Sequence, residues 1–365
     1  SGLNNSYLTA GISLGNLTRL LHRNHRHIAA SAFPRILFLT QSAFWSSLFN
    51  AIEHNRYSRR EKSRGNPGAP IFIVGHWRTG STYLHQLMNL HPDLHAPTLF
   101  QVAVPGGYRV AEPFYKPVFR TLLDNHRPMD NVKMGMHEPQ EEEYAWLRLL
   151  CGSPLEKVVF PTDSSFFLRE PIPFVPEGKP GSEWEKVVPD WFRTLSGFTG
   201  KRIISKNPFN SFRILWLKKV FPGAKFLHIF RHPYHVIPSS IHMWTIISRQ
   251  NSLSGKKMEP STEEISHFYN LTLQKIQDDS SHLSKNEFVT IRFEDLLKDP
   301  VAALSTLCDQ WQLPVPDDFR AQILRYSSDL RSYQNNRFVL KKEDKQLINS
   351  HLSWFMEKMD YNQEN

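Results

Sequence analysis

Short, uninterrupted apolar runs punctuate this 365-residue chain and alternate with longer stretches of helical spacing. Ile71-Phe-Ile-Val-Gly75 is the first run, and Arg202–Ser205, Lys225–Phe230 and Glu287–Phe293 resemble it. A run of this length without polar alternation is expected of a strand buried on both faces. Between the runs, Thr82–Leu90, Glu141–Leu150, Phe212–Val220 and Glu263–Leu283 carry apolar residues at helical spacing. Strands alternating with helices predict an α/β fold, a parallel central sheet flanked by helices. Ile348, Leu352, Phe355 and Met359 predict an amphipathic closing helix.

Ahead of the first run, Leu17, Leu20, Leu21 and the Ile36–Ile52 stretch also have helical spacing, and Pro34 marks a break. Gly65-Asn-Pro-Gly-Ala-Pro70 is a cluster of breakers, which predicts an N-terminal helical arm over 1–65 and a second domain over 66–365. The Ile36–Ile52 stretch carries Thr40, Gln41, Ser42, Ser46, Ser47 and Asn50. A spanning helix needs about 20 mostly apolar residues, so this one is expected to dock on the core, with contact at a membrane surface as the alternative. Pro161–Pro189, with Pro171, Pro173, Pro176 and Pro180, predicts a long loop of the kind that covers substrates.

Composition narrows the field. Apolar residues make up 40% and charged residues 22%, which excludes wholesale disorder. Two cysteines, Cys151 and Cys308, exclude a disulfide scaffold and a cysteine-rich zinc site. A reducing, cytoplasmic location is expected, with membrane association left to the arm. The formal charge is +9, so an anionic partner is expected: nucleic acid, a membrane surface or a polyanionic small molecule. The densest basic run, Arg56–Arg64, is short and interrupted.

Chemistry enters at Gly75-His-Trp-Arg-Thr-Gly80-Ser81-Thr82, which follows a strand and opens a helix. Its spacing is that of a phosphate-binding loop, but Ser81 stands where such a loop has lysine. A strand-to-helix turn aims backbone N–H groups and the positive helix end at one point, which favours an anion. Arg78 can supply the missing positive charge in a forked geometry suited to a tetrahedral oxyanion. A second constellation follows Lys225–Phe230: Arg231, with Ser239 eight positions on.

Arg78-Thr-Gly-Ser-Thr82 resembles the loop by which sulfotransferases grip the 5′-phosphosulfate of 3′-phosphoadenosine 5′-phosphosulfate (PAPS). Arg231 and Ser239 resemble the pair that reaches the 3′-phosphate in that family. Lys206-Asn-Pro208 resembles a strand end of its Golgi-type and bacterial members, and Ile291-Arg-Phe-Glu-Asp-Leu296 resembles a strand end of the family at large. The resemblance covers approximately residues 70–340 and implies a P-loop-like sulfotransferase core. It implies that Arg78, Thr79, Gly80, Ser81, Thr82 and Tyr83 hold the 5′ end of PAPS and Arg231 and Ser239 its 3′-phosphate. Arg78 and Lys206 would stabilise charge on the transferring group; PAP is the product and no metal is required.

The segment His137-Glu-Pro-Gln-Glu-Glu-Glu143 resembles one that carries a catalytic carboxylate in bacterial and Golgi-type members, which implies Glu141 or Glu142 as general base, ahead of Glu143. Cytosolic members use a histidine, so His137 and His85 remain rivals. Those members also have a late glycine-rich loop, whereas Gly255 is the last glycine here. Late cofactor contacts then fall to residues such as Arg331, Tyr333, Lys341 and Lys342.

The expected acceptor is an apolar small molecule or lipid, sterol- or quinone-like, because the chain carries 25 Phe, 9 Trp and 11 Tyr beside an apolar arm. Peripheral membrane contact through the arm is a further expectation, and nucleic acid is not expected as a partner. A P-loop kinase and an inactive membrane-peripheral binding protein are the alternatives. The residues carry no signal for oligomeric state.

Overall fold

The computed structural model describes residues 8–57, 67–122, 135–162, 183–330 and 338–361. Arg59–Arg64, Phe166, Phe167, Phe174, the four central prolines of the Pro161–Pro189 stretch, Arg331 and Tyr333 lie outside the described residues. The chain gathers into two compact units that are interleaved in sequence. The first comprises 1–66, 97–200 and 243–260; the second comprises 67–96, 201–242 and 261–365.

The second unit is built on five parallel strands: β1 (Ile71–Val74), β2 (Leu94–His95), β3 (Arg202–Lys206), β4 (Lys225–Phe230) and β5 (Phe288–Arg292). Their order is β2-β3-β1-β4-β5. Central β1 is buried along its whole length, as its unbroken apolar sequence requires. Its residues divide between two faces with the two-residue period of a strand. Ile71 and Ile73 join a core cluster with Leu84, Leu87 and Met88 of the Ser81–Asn89 helix. Phe72 packs its ring against Phe226 and Phe221, at centroid distances of 5.7 and 5.6 Å.

Ile71 pairs with Ile204 on one side and Lys225 on the other, so β1, β3 and β4 end nearly level. The chain leaves β1 towards β2 at one edge and leaves β4 towards β5 at the other. In a parallel sheet such a reversal opens a crevice beyond the carboxyl ends of the two adjacent strands. The site must therefore be sought in the loops after β1 and β4.

The first unit is helical. The Leu14–Arg23 helix packs within it beside the Phe33–Tyr57 helix, and the serines that interrupt the latter's apolar run find backbone partners. Ser42 Oγ accepts from Gly11 N–H at 3.0 Å, Ser47 Oγ accepts from Leu14 N–H at 2.8 Å, and Ser46 Oγ donates to Gly11 C=O at 2.6 Å. Pro34 sits at the second position of the Phe33–Tyr57 helix, where its missing N–H costs nothing, so it marks the start of this helix after the break that follows Leu14–Arg23. Arg148 is buried in this unit, donating to the carbonyls of Ala10, Val102 and Tyr144, and burial lowers its pKa to about 9.

One expectation is corrected. The Pro161–Pro189 stretch is not a loop throughout, because Glu183–Thr199 is a helix with Pro189 inside it. Val188, Trp191, Phe192 and Leu195 bury its apolar face, and tertiary packing of that kind outweighs the local cost of one proline. β2 is a two-residue strand that no apolar run announced. Both cysteines are buried and free. Among the described residues, no helix is long and apolar enough to cross a membrane.

Three buried histidines of the second unit set a stability limit in acid. Burial lowers the pKa of His76 and His228 to about 4 and that of His85 to about 3. The unfolded chain takes up these protons near pH 6.5 and the folded chain does not. Their stabilising contribution is therefore complete above pH 6.5 and is lost as pH falls through the window below it. The expected loss is roughly 2 kcal/mol per histidine by pH 5. Calorimetry should show Tm falling steeply between pH 6.5 and 5; a flat Tm would contradict neutral burial of all three.

Candidate functional site

The loop after β1 has a conformation that only particular residues tolerate. Gly75 has φ 140°, and a Cβ there would meet the carbonyl oxygen of Ile229 in β4. The Ser211 hydroxyl locks this glycine from both sides: it accepts from Gly75 N–H at 2.8 Å and donates to Gly75 C=O at 3.1 Å. Thr79 is fully buried, and its Oγ1 donates to His76 C=O at 2.7 Å, which draws the loop into a tight curve.

Gly80 is left-handed at φ 90° and caps the Ser81–Asn89 helix, with no side chain bonded across the helix start. The Phe293 ring occupies the space a Cβ on Gly80 would need. Arg78 is also left-handed at φ 66°, an unfavourable backbone for a residue with a Cβ, held by the surrounding loop. The result is a helix N-terminus with first-turn N–H groups directed out of the loop, an arrangement that favours an anion.

The two motifs meet. Arg78 Nε donates to Ser239 Oγ at 2.8 Å, joining the loop after β1 to the Pro233–Asn251 helix that follows β4. Arg231, at the end of β4, lays its guanidinium over the Phe293 ring at 4.7 Å. Its backbone carbonyl accepts the Tyr269 hydroxyl at 2.9 Å. Burial lowers the Arg231 pKa; the Glu294 charge opposes that shift, while the like charge of Arg78 adds to it. Two guanidinium groups close enough to repel, beside an uncapped helix start, form a site suited to a polyanion.

Lys206 ends β3, in register with Ile73, and is 3% exposed. Its charge reaches His85, whose pKa is lowered by burial first and by Lys206 second. His85 Nε2–H donates to Ile204 C=O at 3.1 Å, so this ring is fully buried and neutral. Tyr83 shares a hydrogen bond with Ser327 at 2.9 Å and stacks beside Tyr326 at 6.3 Å. Thus Arg78, Thr79, Gly80, Ser81, Thr82, Tyr83, Lys206, Arg231 and Ser239 all belong to the second unit, Lys206 as the last residue of β3 and the others on the loops and helices that follow β1 and β4.

The acidic segment belongs to the first unit. Glu143 is buried and accepts the Ser153 hydroxyl at 2.7 Å, and Ser153 Oγ in turn accepts from Leu155 N–H at 3.1 Å. That arrangement gives Glu143 a structural task. Glu142 caps the Glu143–Leu150 helix and is 1% exposed, whereas Glu141 is half-buried. His137 is exposed, 3.9 Å from Glu112.

Sequence reasoning missed Phe293 and Ser211. The Phe-Glu-Asp-Leu strand end was visible, but its aromatic was not legible as the floor beneath Gly80 and Arg231. Nothing near Ser211 in sequence points to Gly75, 136 positions earlier. Among the described residues, no group of three His, Cys, Asp or Glu side chains gathers as a metal site.

Comparison with known proteins bears on this geometry. Residues 70–317 match the model of the sulfotransferase family. The chain is 29% identical to omega-hydroxy-beta-dihydromenaquinone-9 sulfotransferase Stf3 of Mycobacterium tuberculosis and of Mycobacterium bovis, over 97% of this chain and 91% of theirs. Among solved structures, sulfotransferase STF9 from Mycobacterium avium aligns with a TM-score of 0.66 at 15% identity, covering 90% of this chain and 86% of that one. Sulfotransferase STF1 from Mycobacterium tuberculosis H37Rv aligns with a TM-score of 0.54 at 16% identity, covering 92% and 91%. These two show a shared fold, and the family match spans the stretch that contains both motifs. The chain belongs to the sulfotransferase family and is an enzyme of that kind.

Proposed function

We propose that this protein moves the sulfuryl group of PAPS to the hydroxyl of an apolar lipid, quinone- or sterol-like, on the cytoplasmic side of a membrane that its N-terminal arm touches. The observation that carries the reading is the meeting of Arg78, Ser239 and Arg231 beside the left-handed loop at Gly80. The family implies PAPS as donor, and these residues fit it: two mutually repelling guanidinium groups gain from a ligand with several negative charges.

Backbone N–H groups from Thr79 to Thr82, with Tyr83 behind them, would hold the 5′-phosphosulfate, while Arg231 and Ser239 would hold the 3′-phosphate. PAPS supplies the sulfuryl group and departs as PAP; an S–O bond to the acceptor oxygen forms as the S–O bond to the 5′-phosphate breaks. Arg78 and Lys206 would neutralise charge that builds on the leaving side, the largest contribution expected in transfers of this type. Glu141 or Glu142 would take the acceptor's proton.

The acceptor class rests on the Stf3 relatives, whose name is that of a menaquinone-derived lipid sulfotransferase, and on near full-length similarity to them. The test is transfer of labelled sulfate from PAPS to a panel of acceptors. Hydroxylated polyprenyl quinones or sterols should accept it, and Glu141→Gln or Glu142→Gln should lower turnover by roughly 10²–10⁴-fold. Transfer to sugars or peptides alone would overturn the acceptor assignment.

A further inference from the structure

The Phe33–Tyr57 helix presents two faces of opposite kind. Leu39, Ala43, Ser46, Phe49 and Glu53 are buried. Phe33, Leu37, Phe44, Trp45, Leu48 and Ile52 are exposed, with Phe33 at 72% and Leu37 at 67%. At 100° per residue, these six fall within an arc of about 120° and extend for about 30 Å along the helix. Phe114 of the Tyr108–Leu122 helix, 66% exposed, continues the apolar surface through its ring contact with Phe49 at 5.5 Å. Gln41 interrupts the arc between Leu37 and Phe44, but an exposed apolar face of this length is still unusual on a surface that meets only water.

Cations outnumber acidic side chains around the stripe, although the partly exposed Glu112 lies two positions before Phe114. Residues 1–64 hold nine Lys or Arg against two Glu; of these cations Arg19, Arg23, Arg26, Arg35 and Arg56 lie among the described residues, and Arg19 and Arg23 pair with Glu183 and Glu156. Glu53 is the only acidic residue of the helix; it is buried and paired with Arg109 at 2.8 Å. Beside the start of the helix lies a recess of about 250 Å³ lined by Ser31, Arg35, Arg249, Ser252, Lys256 and Lys257, among others. Arg35 donates to the Gln250 and Ser252 carbonyls, and its buried Nε has no hydrogen-bond partner. Lys256 donates to Thr162 C=O at 2.5 Å, and Lys257 pairs with Glu259 at 2.5 Å. Four cations, Arg35, Arg249, Lys256 and Lys257, gather at one end of the stripe, and Glu259 offsets one of them.

We propose that the outward face of the Phe33–Tyr57 helix, together with the basic recess at its start, is the surface by which the protein rests on an anionic lipid bilayer. Apolar side chains along one face would enter the acyl boundary while cations beside them meet lipid phosphates, the geometry of an interfacial helix. The helix does not qualify as a membrane span, which fits lying on the surface. A second copy of the chain is the less favoured occupant, since a two-fold contact would set the same cationic surroundings against themselves. The inference deepens the membrane contact of the preceding reading and stands apart from its sulfuryl chemistry.

The test is co-sedimentation of the full chain with vesicles of equimolar phosphatidylglycerol and phosphatidylcholine, and with phosphatidylcholine alone. Binding to the anionic vesicles should exceed binding to the neutral ones and weaken as salt rises. Leu37→Asp with Leu48→Asp, and separately Arg249→Gln with Lys256→Gln, should each reduce binding about tenfold or more. PAP affinity should stay unchanged in both pairs, which reports an intact second unit and separates this proposal from the site assignment. Absence of vesicle binding, or variants that sediment as wild type does, would overturn the proposal. So would a dimer in ultracentrifugation that the leucine substitutions abolish, which would assign the stripe to a second copy.

Discussion

Arg231→Ala should weaken PAP binding by roughly 30- to 1,000-fold, the range for removing one partner of a buried charged contact at about 2–4 kcal/mol. The argument rests on where the residue is held. Its guanidinium lies over Phe293, its carbonyl is fixed by Tyr269, and its charge is felt by Arg78. In the ligand-free protein, that neighbour makes Arg231 a burden as well as a cation. The substitution should therefore leave the ligand-free Tm unchanged or slightly higher while binding collapses. Calorimetric titration with PAP, paired with thermal unfolding of the same variant, reads both effects. Wild-type affinity would remove the 3′-phosphate role; joint loss of affinity and stability would make Arg231 a structural residue instead.

Lys206→Met should separate turnover from binding. The lysine is buried at the end of β3, in register with Ile73, and methionine is close to the lysine stem in volume. Removing its charge should lower kcat by roughly 10²–10³-fold, because stabilisation of charge that develops in the transition state is lost. PAP affinity should change much less. The same substitution removes a charge that depresses His85, so the His85 pKa should rise, while burial still holds it below the usual histidine range. Unaltered kcat would transfer the stabilising role to Arg78 alone.

The legible parts of this protein are those where local sequence and long-range structure impose the same pattern. Ile71–Val74 and Lys225–Phe230 read as buried strands because both their faces are covered, and the motifs that follow them inherit their positions from those strands. Arg231 and Ser239 were singled out through the resemblance of their eight-position spacing to the family's motif, and that spacing is local to one strand end and the helix after it. The hydrogen bond from Arg78 to Ser239 was not legible, since it depends on β1 and β4 being neighbours.

Other features lay beyond local pattern. β2 is too short to have a period, and Glu183–Thr199 is helical despite Pro189 because its apolar face is buried. The interleaving of the two units leaves no compositional trace at Pro97, Gly200 or Met243. The apolar Ile36–Ile52 stretch was visible. Which of its side chains face outwards became clear only when Ser42, Ser46 and Ser47 were seen bonded to the segment before it.

The Phe293 ring, fitted against Gly80 and beneath Arg231, carries a consequence for how the protein is assembled. It comes from the far end of the sheet's chain order, after β5, whereas the loop it supports follows β1. On the proposed assignment, residues 75–82 would hold their anion together with residues 293, 239 and 231, which supply the floor, the clasp and the second cation. Pairings so distant in sequence are slow to form, and the binding loop stays unfinished until the central strands are in register. Nascent or partly unfolded chains would then have little affinity for PAPS, and the cell's pool of the nucleotide would act as a folding ligand, drawing the equilibrium towards the completed sheet.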